Sequence, residues 1–457
     1  MAGCPPGVNF PLAKMALGRY NQGMIKSLTI TGGRPLTGEI TVSGAKNAAS
    51  KMMLASLLTS EPVVLHNCPR IGEVEITADL LKTIGAKVEM DGNTLRLHTP
   101  KIKNSVIKKQ KESNRIPVLA ISPLLHRHGS ASVPHVGGDK IGPRPVNYHI
   151  EALRDMGADI NETRHGYDAK AKKLRGTSIT LPYPSVGATE NIIMAAVLAE
   201  GRTYINNAAI ESEIVDLMKM LQQMGAIIEF RANRQIIIDG VDELHGVEYT
   251  VLPDRMQAAS FGLMAIATGG DILVKGAIQD DMMTMLNTVR RIGADYSIEE
   301  DGIRFFRTSE PLQGIELETD THPGFMTDWQ QPLVVLLTQA HGMSVVHETV
   351  YEDRFGYTET LRAMGANIKI FNKCLGELPC RFNGKGFQHS AVITGPTPLH
   401  GIDSVVPDIR AGIAQVIAAL MAQGESTLTG MEHLIRGYED LLGKLEAVGA
   451  QIKVTTK

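Results

Sequence analysis

Large aromatic side chains are scarce in this sequence: Phe, Trp and Tyr make up 5% of its 457 residues, with a single tryptophan. A core that cannot be filled with rings has to be filled by bringing helices close together, which small and pliable residues allow. Charge of one sign is missing too, since 46 Lys and Arg stand against 49 Asp and Glu for a net charge of -3. No global field draws a polyanion such as nucleic acid, so any anion site has to be local. The longest apolar stretches, Pro332 to Leu337 and Ile413 to Met421, fall well short of the roughly 20 residues that a membrane-spanning helix needs. The four cysteines, Cys4, Cys68, Cys374 and Cys380, show no C-x-x-C spacing. Neither a disulfide framework nor a zinc site is therefore expected, and a reducing cytoplasm fits. Met1 to Gly23 lack a basic start and are broken by Pro5, Pro6 and Pro11, which argues against a secretory signal. Residues 1–23 read as a poorly ordered extension, with Met24 a plausible natural start.

What the chain has in abundance is a recurring helix end. An apolar residue is followed by Gly-Ala and a strand-like run at Gly85, Gly157, Gly225, Gly293, Gly365 and Gly449, at intervals of 72, 68, 68, 72 and 84 residues. Regularity on this scale reads as internal duplication. Glycine suits the left-handed position just past a helix C-terminus. Upstream in each unit lies a small-residue helix and a turn, as in Asn191 to Ala199, Ala258 to Thr268 and Ile413 to Ala422. The expectation is an α/β protein of six units, closed as two domains of three because such apolar helices need cover on all sides. The longer last interval is ascribed to Phe371 to Gly401, read as an insertion in a surface loop.

Several short segments could carry chemistry. Ser43-Gly44-Ala45-Lys46-Asn47 puts Lys46 at a helix N-terminus, a natural anion pocket, although taken alone a solvated lysine is the more economical account. Gly137 to Pro145 gathers three glycines and two prolines around Asp139, Lys140 and Arg144, which reads equally as a mobile lid or a charged surface loop. Ser185-Val186-Gly187 enters a helix with donors suited to phosphate oxygens, or simply caps it. Asp328 begins an apolar helix, where a first-turn acid needs no further role. Arg354, Arg410 and Arg436 stand beside acids or turns and matter only if they converge.

Together with Leu252-Pro253-Asp254-Arg255, these segments resemble the enolpyruvyl transferase family in its UDP-N-acetylglucosamine 1-carboxyvinyltransferase branch. The resemblance runs from Met24 to Val454, with eight motifs in order. It implies an inside-out α/β barrel with three repeats in each of two domains: residues 46–252, with a lid at 134–145, and 24–45 joined to 253–457. It implies transfer of enolpyruvyl from phosphoenolpyruvate to the sugar 3-hydroxyl through a tetrahedral intermediate, with release of phosphate. Lys46, Arg144 and Arg436 are implied around the donor's phosphate and carboxylate, with Arg354 and Arg410 adding positive potential. Asn47 and Asp328 are implied to hold the amino sugar, Arg115 to contact it or its diphosphate, and Ser185, Val186 and Gly187 to line the nucleotide phosphates. The uridine is implied near Arg144, Pro145, Val146, Asn147 and Tyr148, and Val350 joins the substrate contacts. Asp328 is the implied base, its proton affinity expected to be raised by shielding from water, while Lys46 or Asp139 protonates C3. No metal or cofactor is required, and neither nucleic acid nor membrane is an expected partner.

Two positions depart from the family pattern. Asp139 stands where most members carry the cysteine that fosfomycin alkylates, and a carboxylate is a far weaker nucleophile than a thiolate; activity with fosfomycin resistance is expected. Asn147 replaces an aspartate beside the uridine, which keeps open enolpyruvylation of a different uridine nucleotide. A non-catalytic UDP-sugar binder is the other alternative, disfavoured because a binder has no need of the base.

Overall fold

The computed structural model describes residues 25–109, 114–137, 145–377 and 379–456. Asp139, Arg144 and the extension 1–23 lie outside the described residues. Strands and helices alternate along the chain, and among the described residues the strands form five four-stranded sheets and one three-stranded sheet. One arrangement recurs. In it a hairpin such as Lys87–Asp91 and Thr94–His98 lies antiparallel to Val63–His66, whose other edge takes Val247–Thr250 in parallel. Strand Ile25–Thr31 pairs antiparallel with Gln451–Thr456, Leu28 opposite Val454, which ties the two ends of the described chain into one sheet.

All six glycines of the recurring helix end adopt positive φ, between 85° and 121°, each between a helix and the next strand. At Gly85 the turn is closed by its N–H donating to Leu81 O at 3.0 Å. A side chain at these positions would strain the backbone, which is why the pattern was visible in the sequence.

The small-residue helices are buried all round. Every residue of Ala188 to Ala196, Arg255 to Ile266 and Ile409 to Leu420 is buried. Helix Thr327–Leu337 packs against both Arg255–Ala267 and Ile409–Met421. On its other side helix Arg255–Ala267 approaches strand Gly302–Phe306 so closely that a Cβ on Gly262 would sit 2.9 Å from the Phe305 ring. Few aromatics and much alanine are what such contact distances demand.

Buried side chains collect into two clusters, one drawn from 45–251 and one from 25–42 and 256–448. The chain passes between them twice, at Gly44 and Pro253, and these two passages form an antiparallel bridge. Ala45 N–H donates to Leu252 O at 2.8 Å, and Asp254 N–H to Ser43 O at 2.8 Å.

One expectation needs correction. Phe371 to Gly401 is not a loop throughout: Phe371 ends strand Asn367–Phe371, and Ser390–Gly395 is an interior strand of the same sheet, paired on both sides. Glycine, proline and cysteine around it masked a short apolar run. The described residues between those strands, and those after Gly395 apart from an isolated bridge at His400, form no strand or helix.

Candidate functional site

A cavity of about 540 Å³ is lined by residues of both clusters. Lys46, Asn47, Arg115, Pro145, Tyr148, Ser185, Val186 and Gly187 face it from one side, and Asp328, Val350, Arg354, Arg410 and Arg436 from the other. Val146 is buried in the first cluster, Asn147 is exposed, and neither lines the cavity. The helix that starts at Asn147 turns Tyr148, not Asn147, toward it.

Helix starts supply most of these groups. Asp254 caps helix Arg255–Ala267 by accepting from Met256 N–H and Gln257 N–H, and its other oxygen accepts from Lys46 N–H at 3.3 Å. One carboxylate thus fixes the start of two helices where the chain passes between clusters. Asp408 caps Ile409–Met421 through the N–H groups of Arg410 and Ala411, at 2.8 and 2.9 Å, and so sets Arg410 in the first turn. Ser185 caps Val186–Ala196, its Oγ accepting from Ala188 N–H at 3.4 Å. Gly187 lies against His149; a Cβ there would come 3.1 Å from the imidazole.

Two acids organise the cations. Asp328 is paired with Arg354 and, at 3.0 Å, with Arg410, whose guanidinium also donates to the Tyr438 hydroxyl at 3.3 Å. Burial pushes the Asp328 carboxyl up, but Arg410, Arg354 and Lys46 outweigh it and hold it down at about 2. Shielding from water was expected to raise its proton affinity; the neighbouring cations reverse that. Glu73 accepts from Arg436 Nη2 at 2.8 Å and Nε at 3.0 Å. Burial pushes Glu73 up as well, yet Lys46 and Arg436 leave it below the usual carboxylate range. A Cβ on Gly437 would lie 3.5 Å from Lys46 Cδ, so the lysine runs alongside the Arg436 segment. Four cations, Lys46, Arg354, Arg410 and Arg436, therefore gather with Asp328 and Glu73 in one cavity, and guanidinium and ammonium groups so placed suit an anionic ligand.

Other lining groups gave no recognisable signal in the sequence. Glu190 lies in the middle of a buried helix face, 3.7 Å from Lys51 Nζ, with Oε2 unpartnered. Burial raises its carboxyl to about 7, against the opposing pull of Lys51. Arg381 lies 4.3 Å from the Tyr183 ring centroid, bridging the two sides of the cavity. Burial, then Arg115, lowers His149 to about 3, which keeps it neutral. Beneath the cavity Arg255 pairs with Glu213 through two hydrogen bonds of 3.1 and 2.7 Å. The contacts of Glu190 with Lys51, Arg381 with Tyr183 and Arg255 with Glu213 cannot be read from spacing, because each joins residues from separate units.

Residues 30–445 match the sequence profile of EPSP synthase (3-phosphoshikimate 1-carboxyvinyltransferase). The chain is 49% identical to UDP-N-acetylglucosamine 1-carboxyvinyltransferase of Protochlamydia amoebophila, over 93% of this chain and 94% of that one. The same enzyme of Chlamydia pneumoniae is 47% identical over 92% of this chain and 93% of its own length. Among solved structures, the enolpyruvyl transferase NikO of Streptomyces tendae superposes with a TM-score of 0.82 at 23% identity, covering 95% of this chain and all of that one. EPSP synthase of Acinetobacter baumannii gives 0.74 at 19% identity, over 94% of this chain and all of that one. At these identities the superpositions speak for the fold alone.

Proposed function

The chain belongs to the enolpyruvyl transferase family, in its UDP-N-acetylglucosamine 1-carboxyvinyltransferase branch, and from that premise we propose that it transfers enolpyruvyl from phosphoenolpyruvate to the 3-hydroxyl of UDP-N-acetylglucosamine, releasing phosphate. This is the first committed step of peptidoglycan precursor synthesis, and the reading assigns it to the cytoplasm. Among the described residues no helix is long and apolar enough to cross a membrane. The observation that carries the proposal is the gathering of Lys46, Arg354, Arg410 and Arg436 with Asp328 and Glu73 in one cavity, from segments up to hundreds of residues apart.

The donor's phosphate and carboxylate lie against Lys46 and Arg436, joined by Arg144 from the lid. Asn47 and Asp328 take the amino sugar, Arg115 its diphosphate, and Ser185, Val186 and Gly187 the nucleotide phosphates at their helix start. The uridine sits by Pro145 and Tyr148. The sugar hydroxyl adds to C2 while C3 gains a proton from Lys46 or Asp139. The resulting tetrahedral adduct then loses phosphate and a proton from C3, which restores the double bond.

A carboxylate held at about 2 is a weak base. Donor anions that draw Arg354 and Arg410 away from Asp328 strengthen it in the loaded enzyme, when it has to accept the hydroxyl proton. The same reading treats the two clusters as the two three-repeat domains of an inside-out α/β barrel, exchanging chain near Ala45 and Leu252. Closure about that crossing expels water from the adduct.

The test is phosphate release from phosphoenolpyruvate with UDP-N-acetylglucosamine, UMP and shikimate 3-phosphate in parallel. Turnover with the first alone is expected. Release with UMP would move the assignment to a different uridine nucleotide, as Asn147 leaves open, and binding of UDP-N-acetylglucosamine without release would make the chain a sensor.

A further inference from the structure

Away from the cavity, four side chains with soft or nitrogen donors converge: His347, Cys374, Cys380 and His389, with their ligating atoms all within 4.8 Å of one another. His347 ends strand Gly342–His347, His389 directly precedes Ser390–Gly395, and the two cysteines come from the loop before it. Cys374 and Cys380 are 3.6 Å apart, too far for a disulfide and close to the separation of two thiolates on one tetrahedral metal, roughly 3.8 Å for metal–sulfur bonds of about 2.3 Å. Cys374 Sγ lies 3.4 Å from His389 Nε2, again near the roughly 3.6 Å of a mixed sulfur and nitrogen edge.

Both imidazoles are oriented from behind. His347 Nδ1 meets Ser390 Oγ at 2.8 Å, and His389 Nδ1 donates to Phe387 O at 2.6 Å. Each ring thus turns Nε2 inward, as the second hydrogen bond of a metal-bound histidine does. His347 Nε2 is fully buried and has no hydrogen-bond partner. A buried nitrogen left without a partner is costly, and a metal ion at the centre of the four would satisfy it. The sulfurs already accept backbone N–H groups, Cys374 from Cys380 at 3.4 Å and Cys380 from Phe382 at 3.3 Å. Gly376 lets the loop lie flat on the strand: a Cβ there would come 2.1 Å from Glu318 Oε1 and 2.8 Å from His347 Cδ2.

We propose that this chain binds one zinc ion through His347 Nε2, Cys374 Sγ, Cys380 Sγ and His389 Nε2. Two sulfurs and two nitrogens in tetrahedral reach are a zinc donor set, and four protein ligands leave no open position for catalysis, so the ion is structural. Each thiol gives up its proton as the metal enters, and the donors draw in by about 1 Å. The sequence reading excluded zinc because it looked for paired cysteines. Here the spacing is irregular, and His347 comes from a neighbouring strand.

The loop matters to the cavity through Arg381, next to Cys380. Its guanidinium donates to Thr349 O at 3.2 Å and to Val350 O, and it stacks on Tyr183 across the cleft. A zinc ion at the base of the loop holds that arm in place.

Metal analysis of the full chain, purified in reducing buffer without chelator, decides the matter. About one zinc per chain is expected. After the zinc is stripped, titration with cobalt(II) is expected to give the visible bands of a tetrahedral thiolate complex, saturating at one equivalent. The double variant Cys374→Ser, Cys380→Ser is expected to lose both signals. A natural chain that carries no zinc and gives no cobalt bands overturns the proposal, as does one whose Cys374 and Cys380 are joined in a disulfide; neither outcome depends on whether the variant folds.

Discussion

Arg354 and Arg410 share the carboxylate of Asp328, and the sharing fixes its charge. With its pKa held at about 2, Asp328 is ionised throughout the neutral range. Its contribution to stability is complete above the ordinary carboxylate pKa of 3.8 and disappears as pH falls toward 2. Asp328→Asn keeps the shape but removes the proton acceptor. A fall in kcat of about 10²- to 10⁴-fold is expected in the phosphate-release assay, and unchanged turnover would remove Asp328 from the chemistry. Glu190 behaves in the opposite way. Its carboxyl is raised to about 7, so the folded chain keeps a proton that the unfolded chain loses above 4.5, and stability falls as pH rises from there to about 7. Urea melts of the natural chain are expected to show a slope on the order of 1 kcal/mol per pH unit across that window. Glu190→Gln is expected to flatten it. At Asp139, the expected outcome is turnover in the presence of fosfomycin with no covalent adduct by intact mass, while Asp139→Cys gains both the adduct and the inactivation.

At the scale of elements, the helix starts do two jobs: they cap themselves and they aim charged side chains. Helix Arg255–Ala267 also ties the two clusters together, because Arg255 reaches Glu213 in helix Ser212–Gln223, with only 2% and 4% of the two side chains exposed. Burial pushes Glu213 up, but Arg255 outweighs it and holds the carboxyl below its usual range. Arg255→Met leaves that carboxylate buried without its partner, and a loss of about 3–5 kcal/mol in urea unfolding is expected. The double change Arg255→Met, Glu213→Leu is expected to recover most of it, since both charges are then gone. Sequence spacing announced the helices through their Gly-Ala ends. It was silent on this pair, because a buried ion pair depends on which units meet across the interior.

For the whole molecule, the prediction concerns ligand linkage. A cavity lined from both clusters is completed by folding, so a ligand that fills it stabilises both at once. UDP-N-acetylglucosamine at a hundredfold excess over its Kd is expected to add about 2.7 kcal/mol to the unfolding free energy. Shikimate 3-phosphate at the same concentration is expected to add nothing measurable by thermal melt. Equal stabilisation by the two compounds would contradict the acceptor assignment.

What the sequence determined by itself are properties carried by local backbone and order along the chain. The six glycines at helix ends, the alanine-rich buried helices, the helix starts at Lys46, Ser185 and Asp328, and the family resemblance all belong here, since each depends on neighbours within a few residues or on motif order. The tertiary structure decided everything that depends on distance through space. It set the pairing of Asp328 with two arginines, which turned an expected rise in proton affinity into a fall. It placed an interior strand where a loop was expected, set Glu190 beside Lys51, and brought His347 and His389 to two cysteines. Electrostatic and ligand-field energies depend on separations of a few ångströms, and those separations are fixed only when distant segments have packed.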